Sequence, residues 1–355
     1  MQPKPTLEKY GPRRLTLELT NICNLHCSYC SRDEDALYAT SASFFPVDLL
    51  KHLLTDARQV AGIERVSFTG GEPTLHPRFG NVLDIVAANN LKASFVTNGW
   101  HFARVWPLVL TYRETLTHVA FSFDGITREV HDRWRGAGSF DRLIAALARC
   151  HAAGIPFTIK MVIRRDLTHI LEQVAMFAAR LGAAGLNLVH LMPTSNEFDS
   201  KSLSLEERRA AEEEIAVLSS ILKMKVALDV GYYNIDAAPP CSPLAGTSFN
   251  IDYRGRLSLC CNLSGFRGGV KDTDVVADLN VEPFATAFER LQLLAASQVE
   301  RRTEVLKKFE AAAARPDVYV GSPCLFCLQT FAKVPWHSAT SQTIGNRALP
   351  VVNTR

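Results

Sequence analysis

Cys23, Cys27 and Cys30 stand at C-x3-C-x2-C spacing near the start of the chain. Thiolates in so tight a loop can converge on one metal centre. Three protein ligands suit a 4Fe-4S cluster that keeps one iron open, which a purely electron-transferring cluster with four cysteines does not do. An open iron is a place for another molecule to bind, as the fourth position is in catalytic zinc sites with three protein ligands. Two other uses of these thiols compete. A structural zinc wants a fourth ligand, for which His26 is the neighbour available. Disulfides need an oxidising compartment. The polar N-terminus, Met1 to Pro12, has no apolar export core, so the protein is expected in the cytoplasm. There, nine cysteines point to metal or catalysis.

A second set lies far downstream. Cys241 is followed by thirteen residues, Gly255, four residues and Cys260, and later by Cys324-x2-Cys327. Phe249 to Cys260 alternates about Arg254-Gly255, which predicts a β-hairpin that brings Cys260 back towards Cys241. Four thiolates so spaced suit either zinc or a closed iron–sulfur cluster. Cys261 is surplus: a free thiol, or a ligand in place of Cys260. Cys150 reads as a small core residue on a helix face.

The elements that must position these residues alternate. Arg14 to Thr20, Ile63 to Thr69, Ala93 to Thr97, Val119 to Phe123, Pro156 to Ile163 and Leu186 to Leu191 read as strands. Helices are expected from Pro46 to a stop at Gly62, and over His76–Asn90, Phe102–Leu116 (broken or kinked at Pro107), Phe140–Ala153 and Leu167–Leu181. Such alternation is the pattern of a parallel α/β fold. Glu18, Ser67, Ser122, Asp124, Thr158 and Lys160 are polar at alternate positions of otherwise apolar strands, whereas strands buried on both faces read as continuous apolar runs. A polar lumen and glycine-containing breaks at strand C-terminal ends fit a partial (β/α)6 barrel holding a polar ligand. After it come a charged helix over Leu205–Leu222, a further strand near Met224–Val230, and a boundary at Pro239-Pro240. A helix over Val281–Ala314, with Phe284, Phe288, Leu291 and Leu294 as its packing stripe, is expected to fold over the barrel mouth. The expected division is an extension over 1–13, a barrel over 14–230, a cysteine-bearing domain over 231–333 and a tail over 334–355.

The chain has 355 residues, 47% hydrophobic and 21% charged, an ordinary globular balance. A net charge of +3 makes no electrostatic case for nucleic acid, and no apolar run is long enough to span a membrane.

The first cysteine loop resembles the signature of the radical S-adenosylmethionine (SAM) enzymes, with Tyr29 as the aromatic residue before the last cysteine. The resemblance implies that the open iron chelates SAM, and that the reduced cluster splits it to a 5′-deoxyadenosyl radical which abstracts hydrogen from substrate. Gly70-Gly71-Glu72-Pro73 is similar to that family's GGEP motif at the SAM amino group; on its own it reads as a strand-to-helix turn. Asn98, Ser122 and Asp124 look like the ribose- and methionine-facing strand ends, or simply loop caps. Arg135 is placed by the resemblance at the SAM carboxylate. The downstream cysteines resemble the twitch form of the SPASM domain, which implies one auxiliary 4Fe-4S cluster on Cys241, Cys260, Cys324 and Cys327. A second cluster is a one-electron sink, so the implied outcome is net oxidation or crosslinking of a peptide or small molecule, with flavodoxin or ferredoxin as electron donor. Lys160, Asp124 and Glu18 are the candidate bases. The alternatives are epimerisation with Cys261 as hydrogen donor, and a non-catalytic zinc scaffold. Thirteen residues before the first strand are too few for a leader-binding module, so a peptide substrate is expected to need a separate carrier or direct recognition.

Overall fold

The computed structural model describes residues 13–195, 198, 201–236 and 238–337. In chain order the elements are β1 (Arg14–Glu18), α1 (Glu34–Leu37), α2 (Val47–Ala61), β2 (Arg65–Thr69), α3 (Phe79–Ala88), β3 (Lys92–Thr97), α4 (Phe102–Thr111), β4 (Leu116–Ser122), α5 (Arg128–Arg135), α6 (Ser139–Ala152), β5 (Phe157–Ile163), α7 (Leu171–Arg180) and β6 (Gly185–His190). Then follow α8 (Leu205–Ile221), β7 (Lys225–Val230), β8 (Ser248–Ile251), β9 (Arg256–Ser258), β10 (Val275–Asp278), α9 (Phe284–Ala311), α10 (Val318–Gly321) and α11 (Pro323–Thr330).

All ten strands form one sheet in the order β10-β9-β8-β1-β2-β3-β4-β5-β6-β7. From β8 to β7 every neighbouring pair is parallel. Strands β1 to β7 follow one another in sequence order, with no reversal as in a doubly wound sheet, so helices wrap one face and the other becomes a lumen. The sheet does not close, since β7 and β10 are its two ends. This is a partial α/β barrel with additional strands at both edges.

Strand alternation sorts the two faces. Leu15, Leu17, Phe68, Phe95, Phe121, Ile159 and Leu188 are fully buried under the helices. The opposite face carries a polar layer in register: Asn250, Thr16, Ser67, Ser94 and His118, and higher up Ser122, Lys160 and Asn187.

Local signals account for most boundaries. Gly62 ends α2 in the left-handed conformation, φ 62°, where its N–H caps Ala57 and Arg58. Ser204 and Glu207 form a capping box at the start of α8. Two helices depart from expectation. α4 runs through Pro107 and ends at Thr111; the next residues join β4, which begins at Leu116. The long helix α9 does not cover the barrel mouth. Phe284 and Phe288 pack on Phe249 of β8, ring centroids 5.6 and 5.4 Å apart, and the helix lies beside α2 on the outer face. Its apolar stripe needed an apolar partner, and the lumen face is polar.

The predicted hairpin is β8–β9, turning at Gly255 with φ 85°. Rather than standing apart, β8 pairs with β1, whose edge would otherwise expose unpaired backbone. Most of the 334–355 tail and of the 1–13 extension lies outside the described residues.

Candidate active site

The cysteine loop leaves the C-terminal end of β1 and is braced from both sides. Thr20 Oγ1 donates to Ser43 O, Asn21 Nδ2 to Ala36 O, and Tyr38 Oη to Leu25 O. His26 is stacked on Tyr38, centroids 3.9 Å apart. A tight turn closes the loop, with Cys30 N–H donating to Cys27 O at 3.0 Å.

The glycine motif fits underneath. Gly71 and Glu72 N–H donate to Thr20 O and Ile22 O. A Cβ on Gly70 (φ 126°) would stand 2.4 Å from Thr20 O, and one on Gly71 1.9 Å from Ile22 O. The two glycines are therefore the seat on which the cysteine loop rests. Gly71→Ala is expected to lower stability by about 3 kcal/mol or more, since backbone rather than a flexible side chain must yield. Chemical denaturation and anaerobic iron content would measure this, and wild-type values in both would refute it.

Glu72 is 2% exposed and saturated by its own scaffold. It accepts from Thr74 N and Oγ1, Thr97 Oγ1 and Asn98 N, which ties β2 to β3. Burial pushes its carboxyl upward despite these donors. Pro73 opens the short turn that follows. Asn98 reaches the cysteine loop, donating to Asn24 Oδ1 at 3.1 Å and towards Cys23 Sγ at 3.8 Å.

Asp124, fully buried at the end of β4, is the centre of an ionic network. It accepts from Tyr29 Oη and Arg135 Nε, and from Arg164 Nη1 at 3.1 Å. Burial alone would raise its pKa; the two guanidiniums outweigh that and hold it at about 2. A carboxylate so paired is a poor proton acceptor near neutrality, so the geometry speaks against Asp124 as the base. Arg135 reaches past Asp124 with Nη1 4.0 Å from Cys27 Sγ. The sequence reading missed Arg164. It is 2% exposed, lies 4.0 Å over the Trp134 ring and 4.9 Å over Tyr29, and keeps Nε and Nη2 without hydrogen-bond partners. The available signal was an arginine immediately after an apolar strand, at its C-terminal end.

Glu18, on the lumen face of β1, is 3% exposed. It accepts from Arg32 Nη1 at 2.9 Å and from Asn250 Nδ2 at 3.1 Å. Burial raises it to about 7, against the pull of Arg32. It lines an open cleft together with Arg32, Gly70, Gly71, Asp252 and Arg254. Ser122 and Lys160 are half-buried neighbours in register across β4 and β5.

The donor chemistry around both cysteine sets fits thiolates held by a cation. Leu25 N–H points at Cys23 Sγ (3.5 Å), Gly231 N–H at Cys324 (3.3 Å) and Asn262 N–H at Cys260 (3.5 Å). Such donors stabilise metal-bound sulfur. Burial pushes Cys23 and Cys241 each up to about 12, so ionisation there needs a positive partner such as iron. Cys23 feels the charges of Cys27 and Cys30, and Cys327 those of Cys241 and Cys324. Among the described residues no three or more His, Cys, Asp or Glu side chains gather around a point suited to a single metal ion. Cys260 and Cys261 lie side chain to side chain; Cys260 is also within electrostatic reach of Cys241, and Cys261 of Cys324 as well as of Arg32, Lys160 and Arg14. Among the described residues no helix is long and apolar enough to cross a membrane.

Comparison with known proteins places this geometry. Over 197 residues the chain is 35% identical to the mycofactocin maturase MftC of Mycobacterium tuberculosis, a match covering 53% of this chain and 47% of that one. It is 27% identical over 259 residues to the PqqA peptide cyclase of Gluconobacter oxydans, covering 70% of each. The chain thus spans about half the length of the first relative and more of the second. In fold it is similar to the crystal structure of Streptococcus suis SuiB bound to precursor peptide SuiA, with TM-score 0.62 at 15% identity, over 78% of this chain and 64% of that one. The family model of the radical SAM superfamily matches residues 17–194, half of the chain, and so this protein belongs to the radical SAM superfamily, which implies SAM as cosubstrate and a 4Fe-4S cluster.

Proposed function

We propose that the chain oxidatively modifies a peptide, with a 4Fe-4S cluster on Cys23, Cys27 and Cys30, SAM beside it, and an auxiliary 4Fe-4S cluster on Cys241, Cys260, Cys324 and Cys327. When bound, these groups supply a 5′-deoxyadenosyl radical and a one-electron acceptor, the starting electron coming from a donor such as flavodoxin or ferredoxin. In this reading Arg135 and Ser122 orient SAM, Asn98 and Tyr29 flank it, and Cys261 stays free.

The observation that carries the reading is Arg32. It stands within electrostatic reach of Cys30 in the first set and of Cys261, next to Cys260 in the second. The same side chain pairs with Glu18 and donates to Ser264 O, which fastens the first cysteine loop to the segment after β9. Oxidation removes a hydrogen atom, an electron and a proton from substrate. Glu18, poised at about 7 and open to the cleft, is the group suited to take the proton. The peptide assignment rests on the polar, charge-lined cleft and on similarity to proteins whose names or titles are those of a peptide cyclase and of an enzyme with a bound precursor peptide.

Anaerobic incubation with SAM, dithionite and candidate short precursor peptides tests the proposal. The expected result is 5′-deoxyadenosine together with a peptide lighter by two hydrogens. Glu18→Gln is expected to keep 5′-deoxyadenosine formation but to lower the oxidised product by about a hundredfold or more. In the wild type the product rate rises as pH rises through about 7, because the base must be ionised, and that limb disappears in the variant. The stability effect has the opposite sign. A carboxyl whose folded pKa lies above 4.5 loses stabilisation as pH climbs from there to about 7, so the variant is expected to be no less stable at neutral pH. An unchanged product yield and pH profile would remove Glu18 from the role. A product with an inverted centre and solvent deuterium, dependent on Cys261, would replace oxidation by epimerisation.

A further inference from the structure

Arg302, on α9, is 3% exposed and has no carboxylate within ion-pair distance among the described residues. Backbone carbonyls hold it: Nη1 donates to Asp236 O at 3.3 Å, and Nη2 to Gly321 O at 3.2 Å and to Asn234 O. Its Nε is buried without a partner. A buried guanidinium with no counter-ion is strongly disfavoured, so an anion must face it. Gly321, whose carbonyl Arg302 holds, lies three residues before Cys324, and the acidic groups within electrostatic reach of the guanidinium are the thiols of Cys327, Cys241 and Cys324, with the Tyr232 phenol. A second buried cation, Arg208 of α8, also faces Cys324. The short helix α11 adds the positive end of its first turn, where Cys324 sits.

We propose that Arg302 is the fixed counter-charge of the auxiliary cysteine site and sets how readily that site accepts an electron. The inference rests on the auxiliary-cluster reading above. A 4Fe-4S centre held by four thiolates is anionic, and it gains one further negative charge for each electron it takes. In the oxidation described, the substrate radical gives up that electron and its proton passes to Glu18. A cation fixed in a low-dielectric wall favours the added charge and so raises the reduction potential. Arg302 does not touch substrate; it acts through the centre it faces.

The test uses the full chain carrying Cys23→Ala, Cys27→Ala and Cys30→Ala, so that only the auxiliary site can hold a cluster. Arg302, Arg302→Lys and Arg302→Gln forms are reconstituted anaerobically with iron and sulfide, and titrated electrochemically while the reduced cluster is followed by electron paramagnetic resonance. The expected result is about four irons per chain in each form, a midpoint shifted downward in Arg302→Gln, and a midpoint close to the parent in Arg302→Lys. An unshifted midpoint in an iron-replete Arg302→Gln form overturns the proposal. So does an Arg302→Lys form shifted as far as Arg302→Gln, because the carbonyl contacts rather than the charge would then be responsible. Should Arg302→Gln fail to fold, Arg302→Met is titrated in its place, with the same downward shift expected and an unshifted midpoint overturning the proposal. Absence of iron from the parent form itself would instead overturn the auxiliary-cluster reading, and the proposal with it.

Discussion

A chain with Cys23→Ala, Cys27→Ala and Cys30→Ala is expected to form no 5′-deoxyadenosine from SAM and dithionite, and to bind about four irons where the wild type binds about eight. The reason lies in the loop's construction. Its backbone is held by Thr20, Asn21, Tyr38 and the glycine seat, and none of those contacts uses a sulfur. Removing the thiols should therefore leave the fold standing while it abolishes the chemistry. Circular dichroism and the denaturation midpoint are expected to stay near wild type. Residual 5′-deoxyadenosine above the no-enzyme background would show that the radical arises elsewhere.

Asp124→Asn is expected to cost about 3–5 kcal/mol of stability at neutral pH, because it strands Arg135 as an unpaired buried cation and leaves Arg164 only its longer contact to Asp166, 3.6 Å. It also releases Tyr29, which sits beside Cys30, and with it the fixed orientation of Arg135 near Cys27. The KM for SAM is expected to rise along with the loss of stability. Acid sensitivity gives an independent check. The folded pKa of about 2 lies below the usual 3.8, so the stabilisation is complete above pH 4 and is lost as pH falls towards 2. That loss, of about 2 kcal/mol, is expected in the wild type and absent from the Asn variant. Equal stability of the two proteins at pH 7 would mean that the arginines find other partners.

The readable parts of the fold share one property: their cause is local. Gly62 stops a helix because of its own φ, and Ser204 caps one through a residue three positions on. Strand alternation foretold which face of β1 carries Glu18. The helix bearing Arg135 escaped notice because its eight residues are mostly charged and show little apolar periodicity. Strand β10 is four residues long and exists only because β9 offers it an edge.

The candidate site divides along the same line. Cys23, Cys27 and Cys30 declare their chemistry by spacing, since they share a loop of eight residues that a single turn can fold onto one centre; so does the pair Cys324 and Cys327. Tertiary structure decided which charges are compensated. Asp124 meets Arg164 only because β4 and β5 end side by side, and that contact turns a candidate base into a buried counter-ion. Glu72 is consumed by donors from β3, and Glu18 is lifted to about 7 by burial that no spacing reveals. Arg302 faces three thiols that lie 22 to 61 positions away in the chain. Short-range geometry is written in the order of residues, whereas desolvation and Coulomb energy depend on everything that the packed chain brings within a few ångströms.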